Sequence, residues 1–448
     1  MTIKSTLFSG GKVIDGKGSP SIDADVFIAE DKIVSVGSDA RKMASQEHDF
    51  AEIDISGCTV LPGLIDSHCH ISFDQPSTND ELFFHRRHGL ATLVASVNAQ
   101  KVLRSGVTGF FDADCIFDVG VDLRDAIEGG VVPGPRMATG GNVLINCVGG
   151  TAAQLLPDEG RRGYGVIVHT PDQIITEIHR QVKKGVDWIK VHVSGLPVRP
   201  GGTEGEIQTW SLDELKLVCD TAHGLGVPVV GHCRNASSTR DAARAGFDMI
   251  LHATYMDQEA LESVIDAMVP IVPTFTFQAN LADYGDLIGS DPRYKEIFRK
   301  EIVDSVDTIK KAYQAGVPLL TGSESGFSIT PYGEWHHREL EIFVNELSLT
   351  PVQAIQCATA NGARSLRLED KLGKLEPGYL ADLLVVKGDP SQDISLLGKS
   401  EAVKHIFKGG REVDLDLPLP ESWNLPAWRV SEFSSQVLTR KLARSGGN

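Results

Sequence analysis

The sequence predicts an α/β fold: a (β/α)8 barrel, with a sheet domain assembled from both ends of the chain. Three observations lead there. Short β-branched runs fill the N-terminal end, helix-like and strand-like segments alternate through the middle, and strand-like runs return near the far end. Repeated alternation calls for parallel strands joined by helical crossovers. A closed barrel ranks first among such folds and an open doubly wound sheet second.

Taken in order, TLFSGGKVIDG, DVFIAEDKIVSVG and AEIDISGCTVLPG are β-branched runs punctuated by Gly and Asp turn chemistry. In the middle, PDQIITEIHRQVKKGV, SLDELKLVCDTAHGLGV and DPRYKEIFRKEIVDSVDTIKKAYQAGV carry apolar residues at three- and four-residue spacing, as helices do. Each is followed by a short apolar run: DWIKVHV, PVVGHC and PLLTGSE. YLADLLVVKGD and AVKHIFKGGREVD then restore the strand texture. The expected division is 1–62 and 368–415 for the two parts of the sheet domain, 63–367 for the barrel, and 416–448 for a C-terminal arm. The prolines and tryptophans of PLPESWNLPAW suit an arm lying on another surface, a neighbouring subunit of a homo-oligomer included, or a partly ordered terminus.

Composition narrows the function. At 448 residues and a net charge of -17, the chain is a poor partner for phosphates or anionic lipids, so neither nucleic acid nor membrane is expected. The seven cysteines are scattered and odd in number, which reads as free thiols in a reducing, cytoplasmic setting. The start lacks the apolar core of a secretion signal. No G-x-G-x-x-G follows the first strand and no G-x-x-x-x-G-K-[ST] occurs, so nucleotide binding has little support.

Ionisable residues close the apolar runs. TVLPGLIDSHCH ends on His68 and His70; DWIKVHV carries Lys190 and His192; PVVGHC carries His232; DMILHA carries His252; PLLTGSE ends on Glu324. In a parallel barrel all strand C-termini share one face, and active sites are built there. The H-x-H pair projects both imidazoles to one side because strand side chains alternate, and two neutral imidazoles suit a zinc-like ion. Singly, His232 reads equally as a core histidine and Lys190 as a snorkelling lysine. Their shared place at strand ends points instead to a divalent metal centre. An ammonium beside divalent cations should lose its proton. The amine can then add carbon dioxide, giving a carbamate whose oxygens span the about 3.5–4 Å of a two-metal site.

Other candidates keep two readings each. His192 lines the pocket or is a structural rim histidine. Tyr255 reaches a substrate oxygen or packs on the rim. In SITPYGEWHHREL, Tyr332, Trp335 and His336 offer aromatic surface to a flat substrate or form a packed helix start. The FFHRRHG run, Phe83–Gly89, gives the pocket a local positive charge or is a solvated face.

Together, GLIDSHCH, the lysine of WIKVHVSG, the histidines of VVGHC and MILHA, TGSES, and the closing ATANGARSLRLEDKLGKLEPGYLADLLVVKGDP resemble the metal-dependent amidohydrolase superfamily. The branch is that of imidazolonepropionase-like enzymes and prolidase-type peptidases, and the resemblance runs from the first strand to about Gly410. It implies a (β/α)8 barrel with a β-sandwich formed by both termini. It implies one zinc-type ion held by His68, His70, Lys190 and Glu324, and a second held by carboxylated Lys190, His232 and His252. A bridging hydroxide then attacks the carbonyl of a small amide, peptide-like, urea or carbamate substrate. Glu324 takes its proton and passes it to the leaving nitrogen. Cyclic amide hydrolysis and deamination rank behind, and a non-catalytic scaffold of the same fold is the alternative outside the enzyme class.

Three departures qualify the resemblance. The family acid is typically aspartate, and Glu324 adds a methylene, where a shift of about 1 Å can cost 100-fold. Either the backbone retreats, or Glu324 acts as base with weak or no metal contact. Thr151 stands where related sequences often have a histidine after paired glycines, so the substrate carbonyl must be polarised differently. Phe111 precedes Asp112 where an arginine is usual.

Overall fold

The computed structural model describes residues 5–78, 81, 86–146, 163–196 and 206–420. The chain is mixed α/β and divides into a unit of Met1–Asp416 and a second of Leu417–Asn448, of which only 417–420 are described. Thr151, the expected arm beyond residue 420, and Phe83, Phe84 and His85 of FFHRRHG therefore lie outside the described residues.

Parallel strands form the centre. Leu64–Cys69, Val107–Asp112 and Arg136–Thr139 make one sheet, with Val107–Asp112 in the middle. A second runs in the order Gly165–Ile167, Val143–Ile145, Ile189–His192, Val229–Cys233, Met249–His252, Ile271–Val272. Backbone bonds join the two: Asp187 and Trp188 N–H donate to the Thr139 carbonyl at 2.9 and 3.2 Å. On the far side, Leu320 N–H donates to Ile271, and Ser67 N–H to Thr321, so residues 317–324 connect the last strand back to the first. The run PLLTGSE was expected as a full strand. It makes one isolated parallel bridge, at Leu319, with another just past its end at Ser325, because Pro318 has no N–H and Glu324 turns left-handed at φ 54°.

These strands are buried on both faces, as parallel strands must be. One apolar cluster takes Ile65, Phe111, Ala138, Trp188, Val230, Leu251, Val272 and Leu320, from or just beside most of these strands and the 317–324 segment. The opposite faces pack on helices through Val229, Ile250 and Ile271 against Leu215, Val218 and Val264. The helices start where the sequence signals them. Thr170 caps Pro171–Lys184, and Ser211 with Glu214 forms a capping box on Leu212–Gly224.

Two further sheets lie outside this centre. One is wholly N-terminal, in the order Lys32–Val36, Val26–Ala29, Ser5–Ser9, Phe50–Asp54. The other draws on both ends: Cys58–Pro62 pairs antiparallel with Leu383–Lys387, extended by Val403–Lys408 on one side and Lys12–Val13 on the other. Their apolar faces share one cluster, in which Phe8 meets Phe407 edge-on at 5.1 Å. Arg136 of the central sheet grips Asp382 with two bonds of 2.8 and 2.9 Å. The six described cysteines are free, and Cys147 lies outside the described residues. Among the described residues, no helix is long and apolar enough to cross a membrane.

Candidate metal centre

Strand register brings the ionisable groups together. His192 lies directly opposite His232 on the neighbouring strand, and Cys233 opposite His252. The rings follow: centroids are 5.0 Å apart for His68–His70, 5.2 Å for His68–His252 and 4.5 Å for His232–His252. His68, His70, Lys190, His192, His232 and Glu324 line one narrow cavity of about 30 Å3, with Asp114, Phe73, Tyr164 and Phe327. A much larger groove, about 710 Å3, lies around Trp188, Pro228 and Pro270, near the opposite ends of the strands, and holds none of these groups.

Hydrogen bonds settle which ring nitrogen faces inward. His232 Nε2 lies 2.8 Å from Glu206 Oε2, and burial, which alone would raise that carboxyl, is outweighed by His232, Arg234 and Ser194, bringing it down to about 2. An ionised carboxylate only accepts, so His232 Nε2 carries the hydrogen and Nδ1 keeps its lone pair. That Nδ1 faces His252 Nε2 at 3.0 Å. His70 Nδ1 sits 3.5 Å from the Asp114 carbonyl, also an acceptor, which leaves Nε2 of His70 for the cavity. His68 Nδ1 is 2.9 Å from the Thr274 hydroxyl. Burial pushes the pKa of His70 and His232 down to about 4, and those of His68 and His252 well below the ordinary value. All four are neutral imidazoles at physiological pH, the form that binds metal.

Glu324 completes the set. One ligand atom from each of His68, His70 and Glu324 fits within 4.8 Å of the others. Its backbone N–H donates to the His68 carbonyl at 2.7 Å, and the Thr330 hydroxyl holds its carbonyl. The flanking glycines are required by space. A Cβ at Gly322 would stand 2.7 Å from the Cβ of His68, and one at Gly326 2.5 Å from the His70 carbonyl oxygen. Burial raises the Glu324 carboxyl to about 8, against the pull of Arg234 and Lys190. Its Oε2 and His252 Nδ1 are buried without a hydrogen-bond partner. Such orphaned donor atoms, beside neutral imidazoles, fit a divalent cation.

Lys190, fully buried, lies 3.0 Å from Asp114 Oδ1, and His192 Nε2 lies 3.3 Å from Asp114 Oδ2. Burial would raise Asp114, but the Lys190 charge and the His192 bond hold it well below the carboxylate range. Other sequence candidates sit off the cavity lining. The Tyr332 hydroxyl donates to the His70 carbonyl at 2.7 Å, bracing that residue from behind. His336 is buried with Nδ1 2.6 Å from Asp66 and Nε2 accepting from Gly333 N–H. The Trp335 ring packs against Tyr284 at 5.4 Å, with Arg338 over its face. Tyr255 holds a left-handed backbone at φ 58°, its N–H on Ser305. Asp114, Glu206, Asp66, Tyr164, Phe73 and Phe327 were not singled out from sequence. Asp114 alone left a trace, as the second acid of FFDAD at the same period-two spacing as the H-x-H pair.

Comparison with known proteins gives this arrangement its relatives. The model of the Amidohydrolase family matches residues 59–413. Ochratoxinase from Aspergillus niger is 28% identical over 438 residues, covering 91% of this chain and 86% of that protein. A Xaa-Pro dipeptidase crystallised with methionine in its active site superposes with a TM-score of 0.77 at 29% identity, covering 92% of this chain and all of the other. The crystal structure of A. niger ochratoxinase gives a TM-score of 0.79 at 23% identity over 92% of this chain and 96% of its own, a likeness of fold.

Proposed function

The chain belongs to the amidohydrolase family and is a hydrolase acting on carbon–nitrogen bonds, and from that premise we propose that it cleaves an amide-type bond at the histidine-rich cavity, with Glu324 as proton carrier. The observation that carries this reading is the convergence of three neutral imidazoles, His68, His70 and His232, and a partnerless Glu324 oxygen on one cavity, with the His252 ring packed behind them against His68 and His232. We read the backbone circuit from Leu64 round to Thr321 as the (β/α)8 barrel, and the two outer sheets as its β-sandwich.

His68, His70 and Glu324 would hold a divalent ion, zinc first, and His232 with His252 a second if Lys190 is carboxylated. Bound there, such an ion supplies Lewis acidity that polarises a carbonyl and activates water. Glu324 takes a proton from the attacking water and returns it to the leaving nitrogen, a task suited to a carboxyl raised toward neutrality. Glu206 keeps the His232 ring turned with Nδ1 inward. Carboxylation of Lys190 requires breaking its pair with Asp114. Phe73, Tyr164 and Phe327 form an apolar aromatic wall, which favours a substrate with an apolar or flat group beside the scissile bond. The Xaa-Pro dipeptidase among the relatives supports peptide-like candidates.

The test is a panel of N-acyl amino acids, dipeptides, aryl ureas and carbamates, run with zinc-loaded wild type and Glu324→Gln. Wild type should turn over at least one class, and Glu324→Gln, assayed at saturating zinc because Glu324 is also a proposed ligand, should lose about 10²–10⁴-fold in kcat. Near-normal turnover by Glu324→Gln would reject its role as proton carrier.

A further inference from the structure

Thr274 stands at the N-cap of the helix Phe275–Tyr284, a position where Thr normally accepts a hydrogen bond from the helix's own first turn. It makes no such bond, and it adopts a left-handed backbone at φ 58°, costly for a β-branched residue. Its hydroxyl donates to the Val272 carbonyl at 3.1 Å, so toward His68 Nδ1, at 2.9 Å, it has only a lone pair to offer. His68 must therefore carry its hydrogen on Nδ1, which leaves Nε2 unprotonated. The cap that Thr274 withholds comes from a distant helix. Glu339, fully buried in Arg338–Asn345, accepts from Phe275 N–H at 3.0 Å, Thr276 N–H at 2.8 Å and the Thr276 hydroxyl at 2.7 Å.

Two local preferences are broken at one residue, and both breaks deliver the same hydroxyl to the same ring. We infer that Thr274 is a positioning residue for His68, fixing its tautomer and ring rotation so that Nε2 serves the cavity, and that Glu339 is the substitute cap that releases Thr274 for this task. The inference rests on the reading of His68 as a metal ligand. It adds that the ligand geometry is set by a threonine at the N-cap of Phe275–Tyr284, a helix that contributes no ligand of its own.

The decisive comparison is Thr274→Val against Thr274→Ser in the full chain. Valine keeps the volume and β-branching, and with them the backbone strain, but removes the acceptor; serine keeps the acceptor. Metal-stripped proteins are titrated with zinc against a chromophoric chelator, and the visible spectrum of the cobalt-substituted forms is recorded. Thr274→Val should weaken zinc binding about 10–100-fold and alter the cobalt spectrum, with Thr274→Ser staying within about threefold of wild type. Thermal melting of the metal-free forms confirms that each variant is folded. Binding by Thr274→Val within about threefold of wild type, with an unchanged spectrum, would overturn the inference. So would a Thr274→Ser variant as weak as Thr274→Val, since the hydroxyl would then not be the cause. Wild type that takes up no zinc at all would instead bring down the metal-centre reading, and this inference with it.

Discussion

A glutamate at 324 and a left-handed turn at the same residue belong together. With φ at 54° the backbone leaves the direction of an extended strand, and the longer side chain still brings a carboxylate oxygen into reach of His68 and His70. Lys190 poses the complementary question, because its nearest partner is the Asp114 carboxylate at 3.0 Å. If it bridges two ions as a carbamate, Lys190→Ala should abolish hydrolysis, and short carboxylic acids added to the assay should restore part of it. Activity that survives the substitution would remove the bridging role. Lys190 and the four histidines were legible in the sequence because strand periodicity and strand-end placement constrain them. Asp114 and Glu206 were less so, since both lie outside a strand: Asp114 two residues past Val107–Asp112, where only its spacing from Asp112 hinted at it, and Glu206 just ahead of the short strand Ile207–Gln208.

Between elements, one helix caps another. Burial raises the Glu339 carboxyl to about 7 from its ordinary 4.5, overriding the three donors that face it. A carboxyl whose folded pKa lies above its unfolded one contributes stability that is full below about 4.5 and lost as pH climbs through about 7. The stability of metal-free wild type relative to Glu339→Gln, followed by melting across that window, should therefore fall with rising pH, by up to about 3 kcal/mol. A flat difference would mean that the carboxyl is ionised throughout. Helix starts such as Thr170-Pro171 and Ser211-Leu212 were readable because their capping partners lie within three residues. The cap at Phe275 was not, because its partner comes from more than sixty residues away. For Tyr332 and His336 the sequence left two readings, substrate-facing or packed, and local pattern could not choose between them; long-range bonds to His70 and Asp66 draw both inward.

Across the whole molecule, the central strands and the outer sheets are joined at Asp382. It receives the Arg136 guanidinium and the Gly409 N–H, and is itself almost fully buried. Asp382→Ala leaves Arg136 and Gly409 without their acceptor. It should cost toward the low end of about 3–5 kcal/mol, since Arg136 is partly exposed, with the loss read from the denaturant midpoint. A loss under about 0.5 kcal/mol would show that the two regions hold together without it. The alternation of helices and strands and the return of strand texture at the far end were both visible in the sequence, because each is a matter of local pattern. The division of the N-terminal strands between two sheets was not, since pairing partners are chosen by packing. That division also sets an order in time. Cys58–Pro62 needs Leu383–Lys387 beside it, so during synthesis at ~5–20 residues per second it waits roughly 15–65 s for its partner to be made. Through that interval a β-rich edge stays open on the nascent chain, and the step most exposed to misassembly or chaperone capture is the closing of this sheet, after every central parallel strand has already left the ribosome.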